Sequence, residues 1–153
     1  MPGSTVPLTK FINNIYRCTQ AYTNEVLAEF SLSSGTYPFL FTLAEQEGIN
    51  QNEISRKLNV DKAMSARTIK QLILLGYLEK RENSEDTRAN LLFLTQKARS
   101  VIPAAKDKME RWNQALLQDL SSQQEKSIQQ LLGIVLNNAV NYRNTSRRKR
   151  EEL

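Results

Sequence analysis

Lys62, Arg67 and Lys70 share one short segment, with Ala63, Met64 and Ala66 between them. Positions 63, 66, 67 and 70 recur at the three- and four-residue spacing that lines one face of a helix. The chemistry available there is recognition of a polyanion. A guanidinium can form two parallel bonds to guanine, ammonium groups hold phosphates, and small apolar side chains meet thymine methyls. From Arg56 to Arg81 the chain carries seven basic residues (Arg56, Lys57, Lys62, Arg67, Lys70, Lys80, Arg81) against Asp61 and Glu79. That local excess is the electrostatic footprint expected for phosphate binding. The bland alternative is a solvated helical face.

Bond-breaking chemistry has little to work with. The 153 residues include no His and a single Cys, Cys18. Most metal sites and any Cys–His pair are thereby removed. A phosphate-cradling glycine loop is also missing, and Glu45 and Glu47 read as solvated carboxylates on a polar helix face. No enzyme, cofactor or metal is expected. No apolar run reaches membrane-spanning length and no N-terminal signal pattern is present, so a soluble, cytoplasmic protein is expected.

The elements that must position these residues lie between Ile49 and Thr95. Asn50 followed by Glu53 has the form of a capping box, and Ile54 and Leu58 fall on one helix face. Asn59 stands where a left-handed residue would end that helix, and Val60 can plug the turn. Asp61 is a good N-cap for the second helix, whose apolar face runs through Ile69 and Leu72 to a stop at Gly76. Two short strands follow, Tyr77–Arg81 and Asn90–Leu94, with Leu78, Leu92 and Leu94 on one face. Between them a polar loop holds Asp86 and Arg88. Helix, turn, helix and hairpin spell a winged helix-turn-helix, whose second helix enters a major groove. An Arg on the protruding loop suits a narrow minor groove.

Particular residues carry a resemblance at this point: Asn59-Val60-Asp61-Lys62 at the turn, Arg67, Gly76-Tyr77-Leu78-Glu79-Lys80 opening the wing, and Asp86 with Arg88-Ala89 before Leu94-Thr95. Over about residues 8–142 the chain resembles the MarR family of bacterial transcription regulators. It departs from the family pattern at Thr87 and Asn90, where basic residues are common. Ser65 replaces an aliphatic residue, Met64 a polar one, and Ile73 and Leu74 charged ones. The resemblance implies a mainly α fold with a small β-hairpin wing, flanked by N- and C-terminal dimerisation helices. It implies a homodimer that binds double-stranded DNA at a pseudo-palindromic operator, a repressor released by a small aromatic or lipophilic effector. The expected roles are Arg67 to base or phosphate, Lys62 and Lys70 to phosphates, Ala63, Met64 and Ala66 to thymine methyls, and Arg88 to the minor groove with Asp86 orienting it. Thr36 and Ser65 are secondary phosphate donors. Tyr16, Tyr22, Phe39 and Trp112 are the candidate effector-pocket residues, though an aromatic at helical spacing is more often core. A winged-helix protein-interaction module without sequence-specific DNA binding is the rival reading, favoured by Met64, Ile73 and Leu74.

The flanking regions read as helices with long apolar stripes. The first spans about Leu8–Phe30, through Phe11, Ile12, Ile15, Tyr22, Val26 and Leu27. Thr36 is expected to cap the next helix and Gly48 to end it. After the wing, Thr95 caps a helix of roughly Gln96–Leu120 containing Pro103. Ser122 to Glu125 reads as a capping box for a last helix ending near Tyr142, with Ile128, Leu131, Leu132, Val135 and Leu136 along one side. These stripes exceed what the small winged domain can cover, which points to a dimer. The domain reading is an N-terminal dimerisation helix over 8–34, a winged domain over 35–95, C-terminal dimerisation helices over 96–143, and a basic tail over 144–153 read as a disordered end. Cys18 reads as inert and partly buried.

Overall fold

The computed structural model describes residues 6–86 and 89–151. Among them are six α-helices and a three-stranded antiparallel sheet. In chain order these are α1 (Leu8–Val26), a 3-10 turn (Ala28–Phe30), α2 (Tyr37–Glu45), β1 (Ile49–Asn50) and α3 (Gln51–Lys57). There follow α4 (Lys62–Leu74), β2 (Leu78–Glu82), β3 (Asn90–Leu94), α5 (Gln96–Leu117) and α6 (Ser122–Glu151). The chain divides into one compact unit through Trp112 and a second from Asn113 onward. None of the described helices is long and apolar enough to cross a membrane.

The first unit is built around Leu27, Phe39, Leu40, Leu43, Ile54, Ile69, Leu72 and Leu92, all essentially inaccessible to solvent. The sheet order is β1-β3-β2. Leu78 pairs with Leu94 and Lys80 with Leu92, which sets the three leucines on the face that meets α3 and α4, as their phase predicts. Strand β1 was not foreseen. Its two residues become a strand only by pairing with Leu91 and Leu92, far along the chain.

Four boundaries differ from expectation. Helix α1 stops at Val26 because the chain tightens into the 3-10 turn, and Ser31 takes a left-handed φ of 56°. That tight reversal lets both Leu27 and Leu32 enter the core, joined by the Leu32 N–H to Leu27 carbonyl bond of 3.2 Å. Thr36 does not cap α2. Its hydroxyl turns back to accept from the Ser33 N–H at 2.8 Å. Gly48 lies beyond the end of α2, at φ 73°, where it opens β1 and donates its N–H to the Leu92 carbonyl. A Cβ there would press on the Phe93 ring at 3.4 Å. Helix α5 ends at Leu117, short of Leu120, and runs through Pro103.

Helix α6 begins one residue out of the expected register. Ser121 donates its N–H to Gln124 Oε1 at 2.9 Å, and the Gln124 N–H reaches Ser121 Oγ at 3.3 Å. The reciprocal cap is therefore Ser121–Gln124. The helix then continues past Tyr142 to Glu151, so the basic run Arg147–Arg150 is helical where a disordered tail was expected. Cations at a helix C-terminus sit favourably in the field of the aligned peptide dipoles.

Candidate nucleic-acid interface

The helix-turn-helix is fastened at each point where its backbone would otherwise be unsatisfied. At the start of α3 the Glu53 N–H donates to Asn50 Oδ1 (3.0 Å), and the Asn50 N–H donates to Glu53 Oε2 (2.8 Å). A completed reciprocal cap of this kind contributes about 1 kcal/mol. Asn59 takes the left-handed conformation, φ 55°, that reverses the chain. Asp61 Oδ1 accepts from the Met64 N–H at 2.7 Å and starts α4. At its far end α4 passes into Gly76, φ 75°, and Lys97 Nζ donates to the Leu75 carbonyl at 2.6 Å while lying over the Tyr77 ring. The start of α4 is thus capped locally and its end is tied to α5.

Burial then sorts α4 into two sides. Ser65, Thr68, Ile69 and Leu72 are buried. Lys62, Ala63, Ala66, Arg67 and Lys70 are exposed, and Met64 is half-buried. Arg67 and Lys70 stand with Ala63, Ala66, Gln71 and Leu74 on the outward side. Gln71 is a donor and acceptor that the sequence reading passed over; its place, four residues beyond Arg67, was the available signal.

Neither of the two secondary phosphate donors faces outward. Ser65 is fully buried, and its hydroxyl pairs with Ser55 Oγ at 2.7 Å; Ser55 Oγ also lies 2.7 Å from the Gln51 carbonyl. The hydroxyl is satisfied between α3 and α4, where an aliphatic side chain would have packed instead. Thr36 is likewise buried and bonded to Ser33.

The wing is braced from behind. Glu47 was read as a solvated carboxylate on a helix; instead it lies beyond α2 and accepts from the Leu94 N–H at 2.7 Å and from Arg99 at 2.7 and 2.8 Å. Burial pushes its carboxyl up. The Leu94 and Arg99 hydrogen bonds and the charges of Arg99 and Arg81 outweigh that, and hold it below the ordinary Glu range. Arg81 pairs with Glu79 and lies over the Phe93 ring at 4.2 Å, so part of the cationic excess serves the hairpin itself. Asp86 is exposed on the wing loop. Arg88, the minor-groove residue of the sequence reading, lies outside the described residues.

The four effector-pocket residues are not brought together. Phe39 is core. Tyr22 and Trp112 stack on each other at 4.8 Å, and their polar atoms are used by the Lys108 carbonyl and Thr19 Oγ1. Tyr16 is well exposed on α1 and accepts from Gln20. Cys18, expected partly buried, is exposed; the neighbouring Arg17 turns toward Asn14.

A cleft of about 410 Å³ opens between the wing and the first turn of α3, lined by Asn50, Gln51, Asn52, Lys80, Asp86, Ala89, Asn90 and Leu92.

Comparison with known proteins agrees with this architecture. The MarR family model matches residues 32–89. The HTH-type transcriptional regulator BilQ of Clostridioides difficile (strain CD3) is 29% identical over 128 residues, 84% of this chain and 86% of that one. A MarR transcriptional regulator from Methanosarcina mazei Go1 superposes with a TM-score of 0.81 at 30% identity, covering 88% of this chain and 96% of that one. A MarR family regulator from Listeria monocytogenes, crystallised with 26mer DNA, shares the fold with a TM-score of 0.85 at 24% identity, covering 90% and 91%. These relatives are regulators, not enzymes. The chain belongs to the MarR family of winged helix-turn-helix transcriptional regulators.

Proposed function

We propose that this DNA-binding regulator acts as a homodimer on a pseudo-palindromic operator, with α4 of each copy in a major groove and the wing in the flanking minor groove. The observation that carries this reading is the outward side of α4, where Arg67 and Lys70 stand exposed among small residues while the opposite side is locked in the core. Arg67 reads a base edge, Lys62 and Lys70 hold phosphates, and Ala63, Ala66 and the half-buried Met64 meet thymine methyls. Arg88 enters the minor groove with Asp86 beside it, a role supported by the resemblance. The relative crystallised with DNA supports the same partner.

Two exposed apolar stripes support the homodimer. Leu8, Phe11, Ile12 and Ile15 of α1 and Leu131, Leu132 and Leu136 of α6 are all exposed, more contiguous apolar surface than a monomer usually leaves in water. A two-fold dimer spaces its recognition helices by roughly 34 Å, one turn of DNA. Occupancy of such a site blocks other proteins from it, which is repression in its simplest form. Release by a lipophilic effector belongs to the same reading, with the half-buried Tyr22–Trp112 stack and the exposed Tyr16 as the aromatic surfaces it would use.

The test is selection from a random duplex library at near-physiological salt, followed by transcription from a promoter carrying the selected site. A two-fold-symmetric site, lower transcript on adding protein, and at least a tenfold loss of affinity for Arg67→Ala with unchanged circular dichroism are expected. No enrichment, or near-native binding by Arg67→Ala, overturns the reading. The rival, a protein-interaction module, is favoured by Leu74, which is 78% exposed at the end of α4. Binding to DNA that falls steeply with added salt argues against the rival.

A further inference from the structure

Asp86 apart, the residues lining the cleft beside the wing have no part in the roles assigned so far, and most of them are polar. Lys80 projects from β2 opposite Leu92, and Asn90 stands at the tip end of β3 opposite Glu82. These two share the face of the hairpin that carries Leu78, Leu92 and Leu94 into the core. Along the hairpin that face changes character: Leu78, Leu92 and Leu94 are buried, while Lys80 and Asn90 are exposed. The inner surface of the wing therefore emerges from the core as a cation and an amide.

The opposite wall is the first turn of α3. Three of the side chains at this end are already engaged. Asn50 and Glu53 complete the reciprocal cap, and the Gln51 amide donates to the Lys62 carbonyl at 3.3 Å. The side chain of Asn52 is exposed on this wall. Arg56, whose Nε reaches the Asn52 carbonyl, adds a second exposed cation one turn along. The cleft thus presents Lys80, Asn90 and Asn52, two amides around one ammonium. Asp86 on the same lining opposes any large negative charge, so one monoanionic group suits the site better than a polyphosphate. A phosphodiester has that charge and accepts both ionic and neutral hydrogen bonds.

We propose that this cleft seats one phosphodiester of the operator backbone in each subunit, with Lys80 supplying the charge and Asn52 and Asn90 the neutral donors. The seat rests on the DNA-binding reading and adds a contact to it. It lies between the wing and the first turn of α3, whose Gln51 reaches the Lys62 carbonyl at the start of α4. A duplex with α4 in one groove and the wing in the next carries its backbone along this side of the domain. The seat fixes register and carries no sequence preference, because a phosphate is the same at every base pair.

The test is the salt dependence of operator binding by the full chain carrying Lys80→Gln. Losing one phosphate contact in each half of a dimer should lower the slope of log Kobs against log salt by ~1.8 in magnitude, at ~0.9 per contact. The order of preference among operator variants should not change. Asn90→Lys, which adds a cation at the same mouth, should steepen the slope and tighten binding at every sequence. Lys80 and Asn90 are exposed, and an unchanged melting temperature confirms that both variants fold. If wild-type protein binds DNA in a salt-dependent manner while both variants keep its slope, the seat is refuted and the DNA-binding reading stands. If wild-type protein shows no salt-dependent binding, the underlying reading falls with the seat. A change in preferred sequence for Lys80→Gln would also overturn the proposal, since it would place Lys80 at a base.

Discussion

The winged region and the flanking helices deal with their apolar residues in opposite ways. Between Leu27 and Met109 the chain buries its own stripe: Leu40, Leu43, Ile54 and Leu72 are wholly enclosed by residues of the same unit. In α6 no described residue is buried, and Leu131 and Leu136 are more than half exposed. Helix α1 shows both behaviours along its length. Its last turns send Thr23 inward, and its first turns leave Phe11 and Ile15 in solvent. A region that covers its own core can present a cationic helix with fixed orientation. Helices that leave their stripe open are suited to joining copies.

The contrast is broken most directly at α6. Leu132→Glu puts a charge in the middle of the open stripe, and the expected result is conversion of a two-chain species to one chain in analytical ultracentrifugation. A variant that keeps wild-type mass, or a wild-type protein already of single-chain mass, would show that the stripe does not join copies. Phe39→Ala probes the other side of the contrast. Phe39 is 1% exposed, and its truncation should cost about 3–5 kcal/mol in urea unfolding, the range for large side chains removed from a closed core. A loss under about 1 kcal/mol would mean that the winged core is not closed.

The smallest effect is expected at Glu47, which ties β3 to α5. Its folded-state carboxyl titrates below the ordinary Glu range. The contribution to stability is therefore complete above the unfolded carboxyl's range, and is lost as pH falls through the folded value. Glu47→Gln should melt below wild type at neutral pH, with the gap closing on acidification. A gap constant with pH would assign the effect to packing.

What could be read from the sequence follows the range of the interactions. The caps at Asn50–Glu53 and Asp61, and the left-handed Asn59 and Gly76, rest on contacts within a few residues, and the structure places each where its residue type predicts. The outward side of α4 was readable for the same reason, since helical spacing alone separates Arg67 and Lys70 from Ile69 and Leu72. Glu47 was misread because its partners, Leu94 and Arg99, lie about fifty positions away. Strand β1 exists only through β3. The cap of α6 slipped by one residue because Ser121 and Ser122 offer the same hydroxyl and local pattern does not choose between them. Phe39 could be read as pocket or, more readily, as core, and it is buried in the core cluster.

Cys18 is the sole thiol in the chain and stands exposed on α1, between the open turns that hold Ile15 and the turns that hold Thr23. The protein is therefore singly addressable without mutagenesis. One maleimide dye attaches per chain, at the seam where self-coverage gives way to open surface, and its brightness and reactivity report directly on whether that seam is wet or covered.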